Sequence, residues 1–247
     1  MHIIVCISHV PDTTTKIRFS GEMSALDTQG VKWVINPWDD LSLTRAIELR
    51  EDAQSGVARL TVALVGDASA EPTLRKALAM GADDAIRIDA DPADSYTVAV
   101  QLAEALKEED YQLILCGIES SDHNSSAVGG MLAELLNIPS VSSVSSIESQ
   151  QGSFVVVSES EGGREKVRLN HPFLAVCQKG VAIDPRIPSM RGVMSARTKP
   201  LKVVTPKGSD AFTQTLTYVY PQAKGQCRFF DDTDALVNAL KNEAKVL

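Results

Sequence analysis

Short, continuous apolar runs alternate with helical patterns in the first half of this chain, and this alternation constrains the fold most strongly. An apolar run of about five residues predicts a strand that is buried on both faces. Such strands, alternating repeatedly with helices, predict a parallel sheet covered by helices on both sides. The predicted strands occupy residues 3–7, 60–65, 85–88 and 113–116.

Helix-start and helix-stop residues predict four helices between and after these strands. Asn36 can cap the first helix, and Pro37 suits its first position. Asp39 and Asp40 favour the positive end of that helix dipole, and Gly81 is a typical stop for the second helix. The predicted helices span residues 36 to about 54, 69 to 80, 94 or 95 to about 107, and about 125 to 136.

After about residue 150 the pattern changes. Residues 154–157 and 166–169 predict a hairpin, and residues 173–177 predict another buried strand. Residues 183–202 predict a basic, proline-rich loop with a short helix. An amphipathic helix is predicted at residues 233–245.

These patterns together predict an α/β protein with three layers and a doubly wound, mostly parallel sheet. We expect this domain to span residues 1–200 and a C-terminal extension to span residues 201–247. Residues 11–34 interrupt the alternation and predict an inserted hairpin or lobe.

Charge and composition exclude several classes of protein. The net charge of −8 disfavours nucleic acid as a partner, because phosphate binding requires a basic field. No apolar run reaches about 18 residues, and the N-terminus lacks the basic region of a signal peptide, so we expect no membrane insertion. Four cysteines and four histidines are scattered without paired spacing, which predicts free thiols and no metal site.

Small residues at the carboxyl ends of the strands predict a ligand site there, because open α/β sheets bind ligands at that edge. Small residues end three strands, at Cys6, at Val65–Gly66 and at Cys116–Gly117, and glycine lets a flat ring approach the backbone. The alternative is that these strands simply end in glycine. The chain lacks the GxGxxG and GxxxxGK[ST] motifs, so neither a dinucleotide fingerprint nor a P-loop is present.

The loop over residues 119–126 is dense in small hydrogen-bonding side chains and leads into a predicted helix. Ser125, Ser126, Ala127 and Val128 would supply unpaired amides at the helix N-terminus, which is an anion site suited to a phosphate. The alternative is an ordinary capped loop. Motifs of hydrolases and metalloproteases are absent, so we expect no catalytic residue.

A basic segment in this acidic chain carries two methionines. Arg186, Arg191 and Arg197 cluster around Met190 and Met194. Flexible methionines among basic residues are typical of an adaptable protein contact. A basic surface turn with methionines in the core is the alternative interpretation.

The ordered set of motifs resembles the β subunit of the electron transfer flavoproteins over nearly the whole length. Each motif alone is weak, but their order and spacing are specific. The matching segments are residues 10–13 with 16–18, 35–39, 77–83, 113–117, 122–129, 161–169 with Pro172, 185–194 and 199–200.

This resemblance implies a fold of the adenine-nucleotide α-hydrolase-like type and a heterodimer with an α subunit that carries the redox-active FAD. It implies AMP bound to this subunit, or a second FAD in the electron-bifurcating branch. Thr13 falls where the β subunit approaches the FAD of the α subunit. The implied AMP site comprises Cys6, Asn36, Val65, Gly66, Cys116, Gly117, Asp122, Ser125, Ser126, Ala127 and Val128.

Residues 184–197 fall on the family's recognition loop, which captures dehydrogenases by one apolar anchor. Met190 stands at the anchor, where leucine is frequent, and Arg186, Arg191 and Arg197 would steer an acidic partner. At Ser126 and Ala127 the family often has a glutamine, so phosphate binding here would depend on backbone amides and hydroxyls. Asn124 and Ser125 replace the acidic residue and threonine of the bifurcating branch, which favours AMP.

The expected function is therefore a non-enzymatic electron carrier subunit. It would shape the FAD site of the α subunit, dock acyl-CoA-type dehydrogenases of fatty acid oxidation, and pass electrons towards an electron transfer flavoprotein–quinone oxidoreductase. The alternatives are an electron-bifurcating subunit that takes part in NADH oxidation and a free-standing adenine-nucleotide-binding module. We expect a bacterial cytoplasmic protein, or a mitochondrial matrix protein whose transit peptide has been removed.

Overall fold

The computed structural model describes residues 1–150 and 152–247 of the chain. The predicted alternation of strand and helix is present in the first half. In chain order the strands are β1 (His2–Cys6), β2 (His9–Pro11), β3 (Trp33–Ile35), β4 (Arg59–Val65), β5 (Asp84–Ile88), β6 (Leu113–Gly117), β7 (Ser140–Gln150), β8 (Ser153–Ser160), β9 (Gly163–Leu169), β10 (Phe173–Cys177) and β11 (Leu201–Val204). The helices are α1 (Pro37–Glu51), α2 (Glu71–Met80), α3 (Ser95–Leu106), α4 (Val128–Leu136), α5 (Met190–Ala196) and α6 (Thr233–Asn238).

Nine strands form one sheet in the order β11-β5-β4-β1-β6-β10-β7-β8-β9. Pairing is parallel from β11 to β7, and β8 and β9 extend the sheet as an antiparallel hairpin. From β1 the chain proceeds outward through β4 and β5, and then returns to the other side of β1 with β6. The order therefore reverses between β1 and β6, which is where a sheet of this kind forms a ligand crevice.

Alternate residues of β1 enter two separate hydrophobic layers. Ile3 and Val5 pack with the buried side of α1 and α2, including Leu43 and Leu74. Ile4 and Cys6 belong to the second layer, which lies against α3 and α4. Because successive side chains of a strand point to opposite faces, a strand buried on both sides must be apolar throughout. The predicted three-layer α/β fold with a mostly parallel sheet is confirmed.

The starts of two helices near the site, α1 and α4, differ from the prediction. Asn36 is the residue before α1, but its side chain makes no capping hydrogen bond, because it binds a loop across the cleft instead. Helix α4 begins at Val128 rather than near Ser125, so residues 124–127 lead into the helix without regular secondary structure. Asn124 and Ser126 in that segment have positive φ angles of 49° and 50°.

The chain divides into two compact units. The larger unit comprises Met1–Arg18 and Asp27–Thr215, and it continues past residue 200 because β11 pairs with β5 at the edge of the main sheet. The smaller unit combines Phe19–Leu26 with Leu216–Leu247. In it the ring of Phe19 stacks on Tyr218, with centroids 4.7 Å apart.

The predicted lobe, residues 11–34, and the predicted terminal helix, residues 233–245, form regular secondary structure over only part of their length. β2 and β3 form a small antiparallel sheet, and the tip of the lobe, with one bridge from Phe19 to Leu26, belongs to the smaller unit. Helix α6 ends at Asn238 and continues as a π-helical turn, Ala239–Glu243. Among residues 1–150 and 152–247, no helix has the length and apolar character needed to cross a membrane.

Candidate functional site

A cavity of about 320 Å³ opens at the carboxyl ends of β1 and β6, where the strand order reverses. Its volume lies at the lower end of the range of ~300–1,000 Å³ that is usual for small-molecule sites. Nine of the residues expected to bind AMP line it. They are Cys6, Val65, Cys116, Gly117, Asp122, Ser125, Ser126, Ala127 and Val128.

Two thiols form part of the floor of the cavity. Cys6 and Cys116 are both buried; Cys6 is the last residue of β1, and Cys116 is the last but one of the neighbouring parallel strand β6. A hydrogen bond that the Cys116 thiol donates to the Cys6 side chain, together with burial, raises the pKa of Cys116 well above its usual range. A protonated, buried thiol behaves as a small apolar group, so Cys116 offers a surface for a flat ring and not a nucleophile.

Asp39 joins the two strand ends that frame the cavity. Its carboxylate accepts hydrogen bonds from the backbone N–H of Ser8, at 2.8 Å, and of Gly117, at 2.9 Å. Burial raises the pKa of Asp39 to about 7, although these N–H groups and the Asn36 side chain act to lower it. The sequence analysis assigned Asp39 only to the helix dipole, because its burial depends on strands distant in sequence.

Asn36 and Gly66, the other two expected AMP residues, are not among the residues that line the cavity. The buried Asn36 amide donates to the carbonyl of Glu119, at 2.8 Å, and its oxygen accepts from the N–H of Ser121, at 3.1 Å. Asn36 therefore holds the loop that carries the serines. The carbonyl of Gly66 accepts a hydrogen bond from the buried Arg87 guanidinium, at 2.9 Å.

The N-terminus of α4 faces the cavity through Ala127, Val128 and Gly129. Within the described ranges no side chain caps this helix, since the capping position is occupied by Ala127. Gly129 lies so close to β10 that an added Cβ would come within 2.7 Å of a Val176 methyl group. Uncapped N–H groups at a helix start attract an anion.

Hydroxyl and carboxyl groups surround that helix start. Ser95 donates to the Ser125 hydroxyl at 2.8 Å, and Ser126 donates to the Glu119 carboxylate at 3.2 Å. Glu119 and Asp122 also line the cavity. Because carboxylates accept hydrogen bonds from ribose hydroxyls, this set of groups fits a nucleoside monophosphate: apolar floor, acidic side and anion-binding helix start.

A turn after β2 presents Thr13. The Asp12 carboxylate accepts hydrogen bonds from the N–H of Thr14, at 3.0 Å, and from its hydroxyl, at 2.7 Å. These two bonds, with a further one from Lys32, hold the pKa of Asp12 at about 2. Thr13 itself is exposed at the tip of the turn, which leaves its side chain open to a partner.

The basic segment, residues 184–197, also exposes several apolar side chains to solvent. Met190 is 80% exposed at the start of α5, and Ile187 and Met194 beside it in sequence are 88% and 71% exposed. Exposed apolar groups of this size in one segment mark an interaction surface. Arg186, which is expected to steer a partner, is itself paired, because both of its terminal nitrogens donate to the Glu51 carboxylate at 2.7 Å.

Other groups around the site could not be found from sequence patterns. Asp94 and residues 213–215 line the cavity, although the latter come from the predicted extension. Among the 246 residues with described positions, no cluster of three His, Cys, Asp or Glu side chains could hold a metal ion. The four cysteines are free thiols, and Cys227 is the exposed one.

Comparisons with known proteins agree with this architecture. Residues 24–209 match the family model described as the electron transfer flavoprotein domain. The chain is 33% identical to the electron transfer flavoprotein subunit beta of Syntrophomonas wolfei, with all of this chain and 98% of the relative covered. It is 31% identical to the subunit beta of Bacillus subtilis and 32% identical to the mitochondrial subunit beta of Oryza sativa subsp. japonica, with both chains covered completely. A family model over most of the chain and full-length relatives above 30% identity show that this chain belongs to the electron transfer flavoprotein β-subunit family.

Proposed function

We propose that this electron transfer flavoprotein subunit is the β chain of a heterodimer and acts as an electron carrier, not as an enzyme. The α subunit would hold the redox-active FAD, and the exposed turn at Thr13 would border it. In support, the thiol of Cys116 in the cavity lining stays protonated and is therefore not a nucleophile. The smaller unit, with its exposed Phe229 and Leu247, would bind the α subunit.

The cavity at the β1–β6 crevice would bind AMP, and the observation that carries this proposal is the uncapped start of α4 inside it. The N–H groups of Val128 and Gly129 and the hydroxyls of Ser125 and Ser126 would hold the phosphate. Cys6 and Cys116 would underlie the adenine, and Asn36 and Gly66 would support the walls. Bound AMP would stabilise the folded subunit by mass action. A cavity of about 320 Å³ favours AMP over the larger FAD.

Met190 would anchor partner dehydrogenases of the acyl-CoA type, as in fatty acid oxidation. Its exposure in a helix beside Ile187 and Met194 supports this role, because an apolar side chain that leaves water on binding contributes to affinity. Electrons would then pass from the FAD to a quinone oxidoreductase. The bacterial cytoplasm and the mitochondrial matrix are the proposed compartments, given the bacterial and mitochondrial names of the relatives.

The nucleotide content of the purified complex tests the central proposal. The chain is co-expressed with its α subunit, the complex is denatured, and released nucleotides are quantified by chromatography. One FAD and one AMP per heterodimer are expected. Two FAD and no AMP would assign the protein to the bifurcating branch. Neither nucleotide, with no α subunit retained, would overturn the proposal and leave a free-standing nucleotide-binding module as the alternative to examine.

Met190→Ala tests the anchor. The substitution removes most of an exposed apolar side chain, so dehydrogenase-driven reduction of the FAD should slow by roughly tenfold while flavin content stays unchanged. Met194→Ala, in the same short helix, is the matched control and should have a smaller effect. Loss of flavin from the Met190 variant would instead assign this residue to the structure of the heterodimer.

A further inference from the structure

The segment after β11 lies along α3 and ends at the cavity; we call residues 207–215 the strap. At its start, the Gln101 side chain binds the backbone of Lys207 on both sides, accepting from the N–H at 2.9 Å and donating to the carbonyl at 2.5 Å. Further along, the ring of Phe212 stacks on Tyr96 with centroids 4.1 Å apart. The strap therefore follows a defined path although it contains no helix or strand.

Asp94 holds the strap where it reaches the cavity. One carboxylate oxygen accepts from the N–H groups of Phe212, at 2.8 Å, and Thr213, at 3.0 Å. The other oxygen accepts from the N–H of Thr97, at 2.8 Å, and so caps α3. Burial acts to raise the pKa of Asp94, but these hydrogen bonds outweigh it and hold the pKa at about 2.

Past this contact, Thr213, Gln214 and Thr215 form part of the cavity lining. Ser95, the residue after Asp94, donates to the Ser125 hydroxyl, so the start of α3, where the strap is held, lies beside the end of the serine loop, residues 119–126. Two helix starts border the cavity there. Because Asp94 already caps α3, only the start of α4 has N–H groups available to an incoming anion at this side of the cavity. Residues 213–215 of the strap line the same cavity.

We propose that the strap is a binding wall of the nucleotide site, closed by Asp94, and that it sets the rate at which an adenine mononucleotide leaves. The inference rests on the proposed AMP site. Thr213, Gln214 and Thr215 would contribute hydroxyl and amide contacts to the bound nucleotide. Release would require the strap to open, which breaks the three hydrogen bonds that Phe212 and Thr213 donate to the Asp94 carboxylate and one ring stack.

Asp94→Asn separates the two roles of this side chain, which caps α3 and accepts hydrogen bonds from the strap. Asparagine is as good a helix cap as aspartate, so its oxygen can still accept from Thr97. Its NH₂ group would then face the N–H groups of Phe212 and Thr213, two donors with no acceptor between them. Phe212→Ala, which removes the stack on Tyr96, weakens the strap independently and serves if the first variant does not fold.

The experiment measures AMP release from the purified heterodimer. Labelled AMP is chased with excess unlabelled AMP, and retained label is followed by gel filtration. Both variants should release AMP at least about tenfold faster than the unmodified complex, with FAD content unchanged. Asp232→Asn is the matched control, because Asp232 caps α6 by the same chemistry and does not line the cavity. Added AMP should also slow amide hydrogen exchange in residues 207–215.

The outcomes separate the two proposals. If both variants release AMP at the unmodified rate and exchange in the strap does not respond to AMP, the strap is a structural connector and this inference is wrong, while the AMP site stands. If the unmodified complex retains no AMP, the AMP site is wrong and the inference is overturned with it. Rapid release from Asp232→Asn as well would assign the effect to general loss of stability and contradict the role of the strap.

Discussion

Close contact at Gly117 shapes the cavity at the scale of single residues. A Cβ added to Gly117 would collide with a carboxylate oxygen of Asp39 and approach the Trp38 Cβ to 2.7 Å. The missing side chain thus lets α1 approach the end of β6 closely enough for Asp39 to accept the Gly117 N–H. Glycine is required here by space and not by backbone conformation.

Gly117→Ala should therefore destabilise the protein and weaken nucleotide retention. Overpacking at a buried contact costs about 1–3 kcal/mol, which urea unfolding would detect as a lower transition midpoint. Gly130→Ala is the matched control, because an added Cβ meets nothing within 4 Å and alanine favours the helix. Equal stability of the two variants would contradict the account of this contact.

Asp39 should give stability a measurable pH dependence. Its pKa is about 7 in the folded chain against a usual value of 3.8, so the folded state binds this proton more tightly than the unfolded state. The contribution to stability is therefore present at low pH and is lost as pH rises from about 4 to about 7, with a slope approaching about 1.4 kcal/mol per pH unit.

Asp39→Asn isolates this effect. The unfolding free energy of the unmodified protein minus that of the variant should fall with rising pH below about 7 and stay constant above it. Urea unfolding of both proteins over that interval measures the difference. A difference independent of pH would show that Asp39 stays ionised, held by the N–H groups of Ser8 and Gly117.

At the scale of elements, α5 is held tightly against α2. An added Cβ on Gly192 would collide with the backbone carbonyl of Ala79, so the two helices approach each other backbone to backbone. Arg75 on α2 donates at 3.0 Å to the carbonyl of Ala196, the last residue of α5, and to that of Lys199, three residues beyond it. These contacts orient the short helix that presents Met190, since seven residues are too few to form a stable helix alone.

Arg75→Gln should loosen α5 and impair docking without affecting the flavin. Loss of two hydrogen bonds from a charged group is expected to reduce kcat/KM for dehydrogenase-driven FAD reduction by roughly three- to tenfold. Arg59→Gln is the control, because Arg59 is also paired with acidic residues but lies on β4. Unchanged kcat/KM in the Arg75 variant would mean that α5 keeps its orientation by packing alone.

At the scale of the whole molecule, the basic segment, residues 184–197, stands out in a chain with a net charge of −8. Arg191 and Arg197 are exposed, and neither has a salt-bridge partner among residues 1–150 and 152–247. Arg186, in contrast, is neutralised by Glu51. Steering of an acidic partner would therefore depend on Arg191 and Arg197, and less on Arg186 than the sequence analysis expects.

The double variant Arg191→Gln/Arg197→Gln should associate more slowly with a dehydrogenase at low ionic strength, by between about two- and tenfold. The difference should shrink as salt is added, because exposed charges are screened. Stopped-flow rates across a salt series measure this. The control is Arg164→Gln/Lys166→Gln, which removes two positive charges from β9 instead. An equal decrease in the association rate of this control would show that net charge, and not local steering, is responsible.

Several parts of this account follow from local sequence patterns. The apolar runs predict the buried strands because a residue pattern of period two or a continuous run is a property of neighbouring residues. Cys6, Cys116 and Gly117 were placed in the site by the rule that ligands bind at strand ends, and they line the cavity. The helix start at Val128, three residues later than predicted, depends on positive φ angles that serine and asparagine patterns do not specify.

The sequence by itself determined the layered α/β fold and the serine loop, because both depend on residues close together along the chain. It also determined the family, through the order and spacing of motifs over nearly the whole length. Only the tertiary structure decided that Asp39 would be buried between two strand ends, that Asp94 would hold both a helix and a strap, and that residues 213–215 would reach the cavity. These features join residues that are up to 119 positions apart. No local periodicity encodes such contacts, because they arise from the packing of complete elements and from burial that exists only in the folded chain.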